Sequence, residues 1–227
     1  RQRQMCIRDR PDLAISETDE RITLSSGPFR IEFSKESGLM TSLMFKDIET
    51  IVKSPEPDFW RIPTDNDFGN GMPRRCKIWK NAGSNRILKS FNINAVNSKQ
   101  VNILSEYELH DAGAVLLMKY IIYGSGDIFI TQTFNPAGRE LPEIPRIGMQ
   151  MHLPADFNEV SWFGRGPFEN YEDRKYAAHV GVYTTTVDAL NHAYIRPQET
   201  GYRTDVRWLT INSGKGFGLL IVGNPFL

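Results

Sequence analysis

The stretch Trp162-Phe163-Gly164-Arg165-Gly166-Pro167-Phe168-Glu169-Asn170-Tyr171-Glu172-Asp173-Arg174 gathers aromatics, glycines, arginines and carboxylates into thirteen residues. Two chemistries suit it. Its rings could stack on a pyranose, with Arg165, Glu169, Asn170 and Asp173 bonding the hydroxyls; equally, the rings could fill a core beneath a loop of paired charges. A second concentration of polar side chains lies a hundred residues earlier, in Phe59-Trp60-Arg61-Ile62-Pro63-Thr64-Asp65-Asn66-Asp67-Phe68-Gly69. Alternating oxygen ligands with a glycine turn suit a hard cation such as calcium. The spacing fails, because a loop begun at Asp65 needs a bidentate carboxylate where Cys76 stands. An Asx-rich turn, its side chains bonding neighbouring backbone amides, fits the string better.

Other reactive side chains are scattered. His110, His152, His179 and His192 form no pair at metal-ligand spacing, and Cys6 and Cys76 share no metal or redox spacing. A histidine paired with a carboxylate could open a sugar ring by general acid–base chemistry, but solvent-exposed or packing roles fit these four positions better. Lys and Arg together number 27, as do Asp and Glu, so no net field draws the chain to nucleic acid or an anionic membrane. No apolar run is long enough for a membrane helix.

The elements that must position these residues read as β-strands. Period-two alternation recurs about every ten residues, with turn residues between the runs. Phe29, Ile31 and Phe33 share one face, as do Val101, Ile103, Tyr107 and Leu109, and Ile147, Met149, Met151 and Leu153 read as a third apolar face over a polar one with His152. Residues Ala114 to Tyr123 are apolar on both faces, the mark of an interior strand, and turn at Gly124-Ser125-Gly126. A hairpin is predicted around Ser213-Gly214-Lys215-Gly216. One short helix is predicted over Arg74 to Asn81, opened by Pro73 and stopped by Gly83. Residues 1–10 fit no period and read equally as a non-native scar or a frayed charged end.

Three segments, taken together, carry a resemblance. Phe59-Trp60-Arg61 with Thr64-Asp65-Asn66-Asp67 and Gly69 is one, Trp162 to Arg174 the second, and Tyr194, Arg196, Pro197, Gln198, Glu199, Gly201 and Arg203 the third. In this order they resemble the signatures of the small C-terminal domain of glycoside hydrolase family 2 β-galactosidases, and the likeness runs from about Arg21 to Val222. The resemblance implies an all-β fold, a large antiparallel β-sandwich of the galactose mutarotase-like type with long loops and one short helix. It implies a linker over residues 1–20 and a sandwich domain over 21–227, incomplete at its C-terminal end. Retaining glycosidases need two carboxylates roughly 5–5.5 Å apart. In this family both come from a TIM barrel upstream, so no residue here is assigned a catalytic role.

The implied role is non-catalytic: packing on the barrel, on the same polypeptide or a large subunit, bordering the pocket for a terminal β-D-galactoside such as lactose, and supporting a homo-oligomer. Sugar- or interface-contacting candidates are Trp60, Arg61, Asp65, Asn66 and Asp67 in the first motif. The second supplies Trp162, Arg165, Glu169, Asn170, Tyr171, Asp173 and Arg174, and the third Glu199 and Arg203. Family members use Mg2+ with Na+ or K+; no motif here would hold either, and no cofactor is assigned to this chain. The alternatives are a free carbohydrate-binding module and an aldose mutarotase.

Overall fold

The computed structural model describes residues 10–223. Residues 1–9, most of the stretch read as a scar or a frayed end, and residues 224–227 lie outside the described residues. The fold is all-β and antiparallel, with sheets of five, four, two and four strands. The chain divides into two compact units: one runs up to Arg61 and resumes over Arg74–His152, the other combines Ile62–Pro73 with the chain from Leu153 onward.

In the first unit, β1 (Ala14–Glu17), β2 (Arg21–Ser26), β3 (Phe29–Ser34), β4 (Met40–Phe45) and β5 (Ile48–Glu49) form a meander in chain order. β1 lies within the span read as a linker and pairs along its whole length with β2. After β6 (Lys53–Asp58) come β7 (Arg86–Asn97), β8 (Gln100–Leu109), β9 (Ala114–Tyr123) and β10 (Ile128–Asn135), which make a second sheet in the order β10-β9-β8-β7. The alternation in the sequence sets what is buried. Ile22 and Leu24, Phe29, Ile31 and Phe33, Val101, Ile103, Tyr107 and Leu109, and Leu116, Met118, Tyr120 and Ile122 are all core residues.

The two sheets meet as a sandwich. Phe33 meets Tyr120 edge-on with ring centroids 5.0 Å apart, the Ser105 hydroxyl donates to the Gly38 carbonyl at 2.7 Å, and the Tyr107 hydroxyl to that of Ser37 at 2.9 Å. Burial pushes the Tyr107 and Tyr120 hydroxyls up from their ordinary pKa. Each large side chain buried here contributes about 1.5–3 kcal/mol. A second cluster packs Phe59, Trp79 and Phe134 with centroids 5.7–6.1 Å apart, and the Trp79 indole donates to the Pro142 carbonyl at 3.1 Å.

Two predicted elements differ. β11 (Gly148–His152) exists, but Ile147 is 61% and Met149 42% exposed, so the predicted apolar face is not a core face. Among the described residues β11 pairs only with β6, with a register shift between Gln150 and His152, and a two-stranded ribbon offers too little surface to cover either side. The predicted helix over 74–81 is broken into a helical turn Met72–Arg75 and a 3-10 turn Lys77–Trp79. Between them Cys76 takes φ −99°, ψ 13°, off the helical path, and both Cys76 and Trp79 are fully buried.

In the second unit, β12 (Phe157–Gly166), β13 (His179–Thr186), β14 (Trp208–Ser213) and β15 (Gly218–Val222) form one sheet in the order β13-β12-β14-β15. The predicted hairpin joins β14 to β15, with Gly216 at φ 79° and the Ser213 amide donating to the Phe217 carbonyl at 2.9 Å. A further helix, Asp65–Asn70, belongs to this unit where the sequence reads as an Asx turn. Both readings share a cause. Thr64 and Asp67 form a reciprocal capping box, in which the Asp67 carboxylate accepts from the Thr64 amide at 2.8 Å, and that local side-chain bond starts a helix.

Candidate functional site

The second unit brings parts of all three motifs together. β12 carries Trp162 and Arg165 and ends at Gly166, after which residues 167–174 leave the sheet as a loop. Along the end of β12 runs the segment 204–207: the Arg165 amide donates to the Thr204 carbonyl at 3.1 Å, and the Arg207 amide to the Phe163 carbonyl at 2.8 Å. Gly164 lies between these bonds, and a Cβ there would come within 2.8 Å of the Val206 Cα. That approach requires the glycine.

Glu169, buried, is the hub. Its carboxylate accepts from Arg174 Nη2 at 2.6 Å, from the Gly201 amide at 2.8 Å, from the Thr200 hydroxyl at 3.2 Å and from the Tyr194 hydroxyl. Burial disfavours its charged form, but the Gly201 amide, Arg174 and Thr200 outweigh burial and hold the carboxyl below its ordinary pKa. Gly201 presents its amide at φ 81°, a left-handed conformation that other residues adopt only with strain.

Asn170, fully buried, ties the same two loops. Its amide donates to the Tyr202 carbonyl at 2.9 Å, its side-chain nitrogen to the Phe168 carbonyl at 3.1 Å, and its side-chain oxygen accepts from the Thr204 amide at 2.9 Å and from the Thr204 hydroxyl.

The aromatic and arginine residues interleave. Trp162 is 2% exposed; its indole donates to the Arg165 carbonyl at 3.0 Å, and its ring lies 5.2 Å from the Arg203 guanidinium and 5.4 Å from the Tyr183 ring. Burial lowers the Arg203 pKa, and its guanidinium donates to the Pro167 and Tyr202 carbonyls at 3.1 and 3.3 Å. Arg165 donates to Asp205 at 2.5 Å and to the Lys175 and Ala178 carbonyls at 3.1 and 2.8 Å. Tyr171 stacks on Tyr202 with centroids 5.1 Å apart, and Arg174 stands 5.1 Å over the Tyr171 ring.

From the first motif, the Asp65–Asn70 helix reaches the third. The Asp65 amide donates to the Gln198 side chain at 3.2 Å, the Asp65 carboxylate pairs with Arg196 at 3.4 Å, and Arg196 lies 5.3 Å over the Phe68 ring.

Of the candidates, Asp65, Asp67, Trp162, Arg165, Glu169, Asn170, Tyr171, Arg174 and Arg203 join these contacts. Glu199 is buried in the same unit, while Asn66 and Asp173 are exposed. Trp60 and Arg61, both half-buried, belong to the first unit, where the Trp60 amide donates to the Asp58 carboxylate at 3.1 Å. Sequence reasoning missed Thr200, Thr204 and Asp205. Their signal was faint: one hydroxyl inside the third segment and a hydroxyl and an acid just after it, whose partners lie 31 to 40 residues away. His110, His152, His179 and His192 are all exposed. Among the described residues no three His, Cys, Asp or Glu side chains converge as a metal site, and no helix is long and apolar enough to cross a membrane.

The family model of the β-galactosidase small chain matches residues 25–223. The chain belongs to the β-galactosidase small chain family. It is 35% identical over 215 residues to a β-galactosidase of Priestia megaterium and 35% identical over 216 residues to one of Lactobacillus delbrueckii subsp. bulgaricus, in each case across 95% of this chain. A β-galactosidase of Halalkalibacterium halodurans is 31% identical across 91% of the chain. The chain spans about a fifth of the length of these curated relatives, 21% in each case.

Proposed function

We propose that the chain is the non-catalytic sandwich portion of a β-galactosidase, an enzyme hydrolysing terminal β-D-galactosides such as lactose. The bond-breaking carboxylates belong, in this reading, to a catalytic barrel carried on the same polypeptide or on a large subunit. The observation that carries it is the near-complete match of this chain to one fifth of proteins named β-galactosidase. Magnesium and the monovalent cation that the resemblance gives the parent enzyme are assigned to residues outside this chain. The chain's part is to support the pocket and the oligomer.

The polar cluster fits a supporting role. Glu169, Asn170, Arg165 and Arg174 direct their bonds to other residues of their own unit, and Trp162 leaves no open ring face for a sugar to stack on. Arg174 is a positioning residue: it pairs with Glu169 while its guanidinium also donates to the Tyr194 hydroxyl at 2.6 Å. Lysine offers a point charge without the planar guanidinium that Arg174 lays 5.1 Å over the Tyr171 ring. In the full-length enzyme, Arg174→Lys is expected to lower Tm by about 2–4 °C while KM moves less than about twofold. A large rise in KM with Tm unchanged would instead put Arg174 at the substrate.

A further inference from the structure

The sheet of the second unit breaks the rule that an antiparallel sheet with one wet face alternates apolar and polar residues. Across its four strands, one row pairs Tyr183, Trp162, Leu209 and Ile221, and the neighbouring row, one residue along and on the opposite face, pairs Val182, Phe163, Trp208 and Val222. Both rows are apolar. The second is open: Val182 is 64% and Val222 68% exposed, and Leu220, two residues from Val222 on the same face, is 64% exposed. The row crosses three strand spacings, about 14 Å. A contrast lies in β8, where Gln100, Asn102, Glu106 and Glu108 keep the face away from the core polar, with Leu104 the exception.

Apolar residues on both faces are the pattern of a sheet covered on both sides, and a patch of this kind marks an interaction site. We infer that the face carrying Val182, Phe163, Trp208, Leu220 and Val222 is the docking surface for the remainder of the parent polypeptide. This rests on the proposed function. The occupant follows from chain length: about four fifths of the length of the relatives lies outside the 21% that this chain matches, enough to supply an apolar covering surface. A sugar is a poorer fit. The open positions Val182, Leu220 and Val222 are branched aliphatics, beside a row of Thr184, Ser161 and Thr210 on the same face, and the Phe163 ring is already covered by the Arg207 guanidinium at 5.1 Å.

Single cysteines at Val182 and Leu220, introduced with Cys6→Ser, would be labelled with a maleimide in this chain alone and in the full-length enzyme. Labelling at both is expected to be at least about tenfold slower in the full-length enzyme. Equal rates in the two, with galactosidase activity intact, would overturn the docking face and leave the proposed function standing; a full-length protein without galactosidase activity would instead remove the functional reading, and the docking inference with it. Protection already present in the chain alone and rising with its concentration would give the face to a second copy. Protection of the chain alone by lactose would make it a sugar platform. Either result would overturn the inference. Val182→Lys with Leu220→Lys, at positions open enough to leave folding intact, is expected to shift the full-length enzyme toward dissociation or loss of thermal stability; no change would count against the face.

Discussion

The sandwich of the first unit and the loop cluster of the second are held by opposite means. Between β1–β5 and β7–β10, stability comes from apolar residues at alternate positions, with few polar bonds crossing the core. Around Glu169 and Asn170 it comes from polar groups that leave irregular backbone and satisfy one another across the loops. The first arrangement is non-directional and tolerates exchange of one apolar residue for another. The second depends on donors and acceptors at particular places, and loses the desolvation cost of each group left unpaired. A loop surface meant to hold a fixed shape needs the second kind.

Substitutions can break that contrast. Trp79→Ala in the first unit removes a fully buried ring and is expected to cost about 3–5 kcal/mol, read as a lower denaturation midpoint at unchanged m-value. A loss below about 1 kcal/mol would mean the core relaxes freely. Glu169→Ala in the second unit strands the Gly201 amide and Arg174, for a loss of roughly 1–3 kcal/mol. Hydrogen exchange should then quicken at Gly201 and its neighbours and stay unchanged in β8 and β9; exchange rising evenly throughout would show that the two units do not differ in the way described.

Thr64→Ala removes one half of the capping box and should cost about 0.5–2 kcal/mol, concentrated in the Asp65–Asn70 helix. The smallest effect is that of pH. Because the folded carboxyl of Glu169 is held below its ordinary value, its contribution is complete above that value and lost as pH falls through the folded one. The stability gap between the protein and Glu169→Gln should therefore narrow as pH drops below the ordinary 4.5. A gap that stays constant down to about pH 3 would show that Glu169 is not the titrating anchor.

The same contrast explains what could be read in the sequence. Strands β3 and β8 were legible because period-two burial is a local signal, and Phe33, Ile103 and Leu109 are buried as the alternation requires; β9 was legible as a run apolar on both faces, and it lies inside its sheet. The face of β11 was misread because alternation reports an amphipathic strand and says nothing of whether a second layer covers it. The helix over 74–81 failed at Cys76, where burial of the thiol and of Trp79 outweighs helix propensity. In the candidate site, composition pointed to the loop after Trp162 but not to its partners. Glu169 and Gly201 are 32 residues apart, and no periodicity links a carboxylate to a backbone amide across that distance.

The division of labour between this chain and the remainder of the enzyme is open to one direct measurement: turnover of a chromogenic β-galactoside by the purified chain, alone and joined to the catalytic remainder of its parent polypeptide. The chain alone is predicted to stay at the level of a mock preparation, with activity present only in the joined form. Turnover by the chain alone above that level would contradict the account.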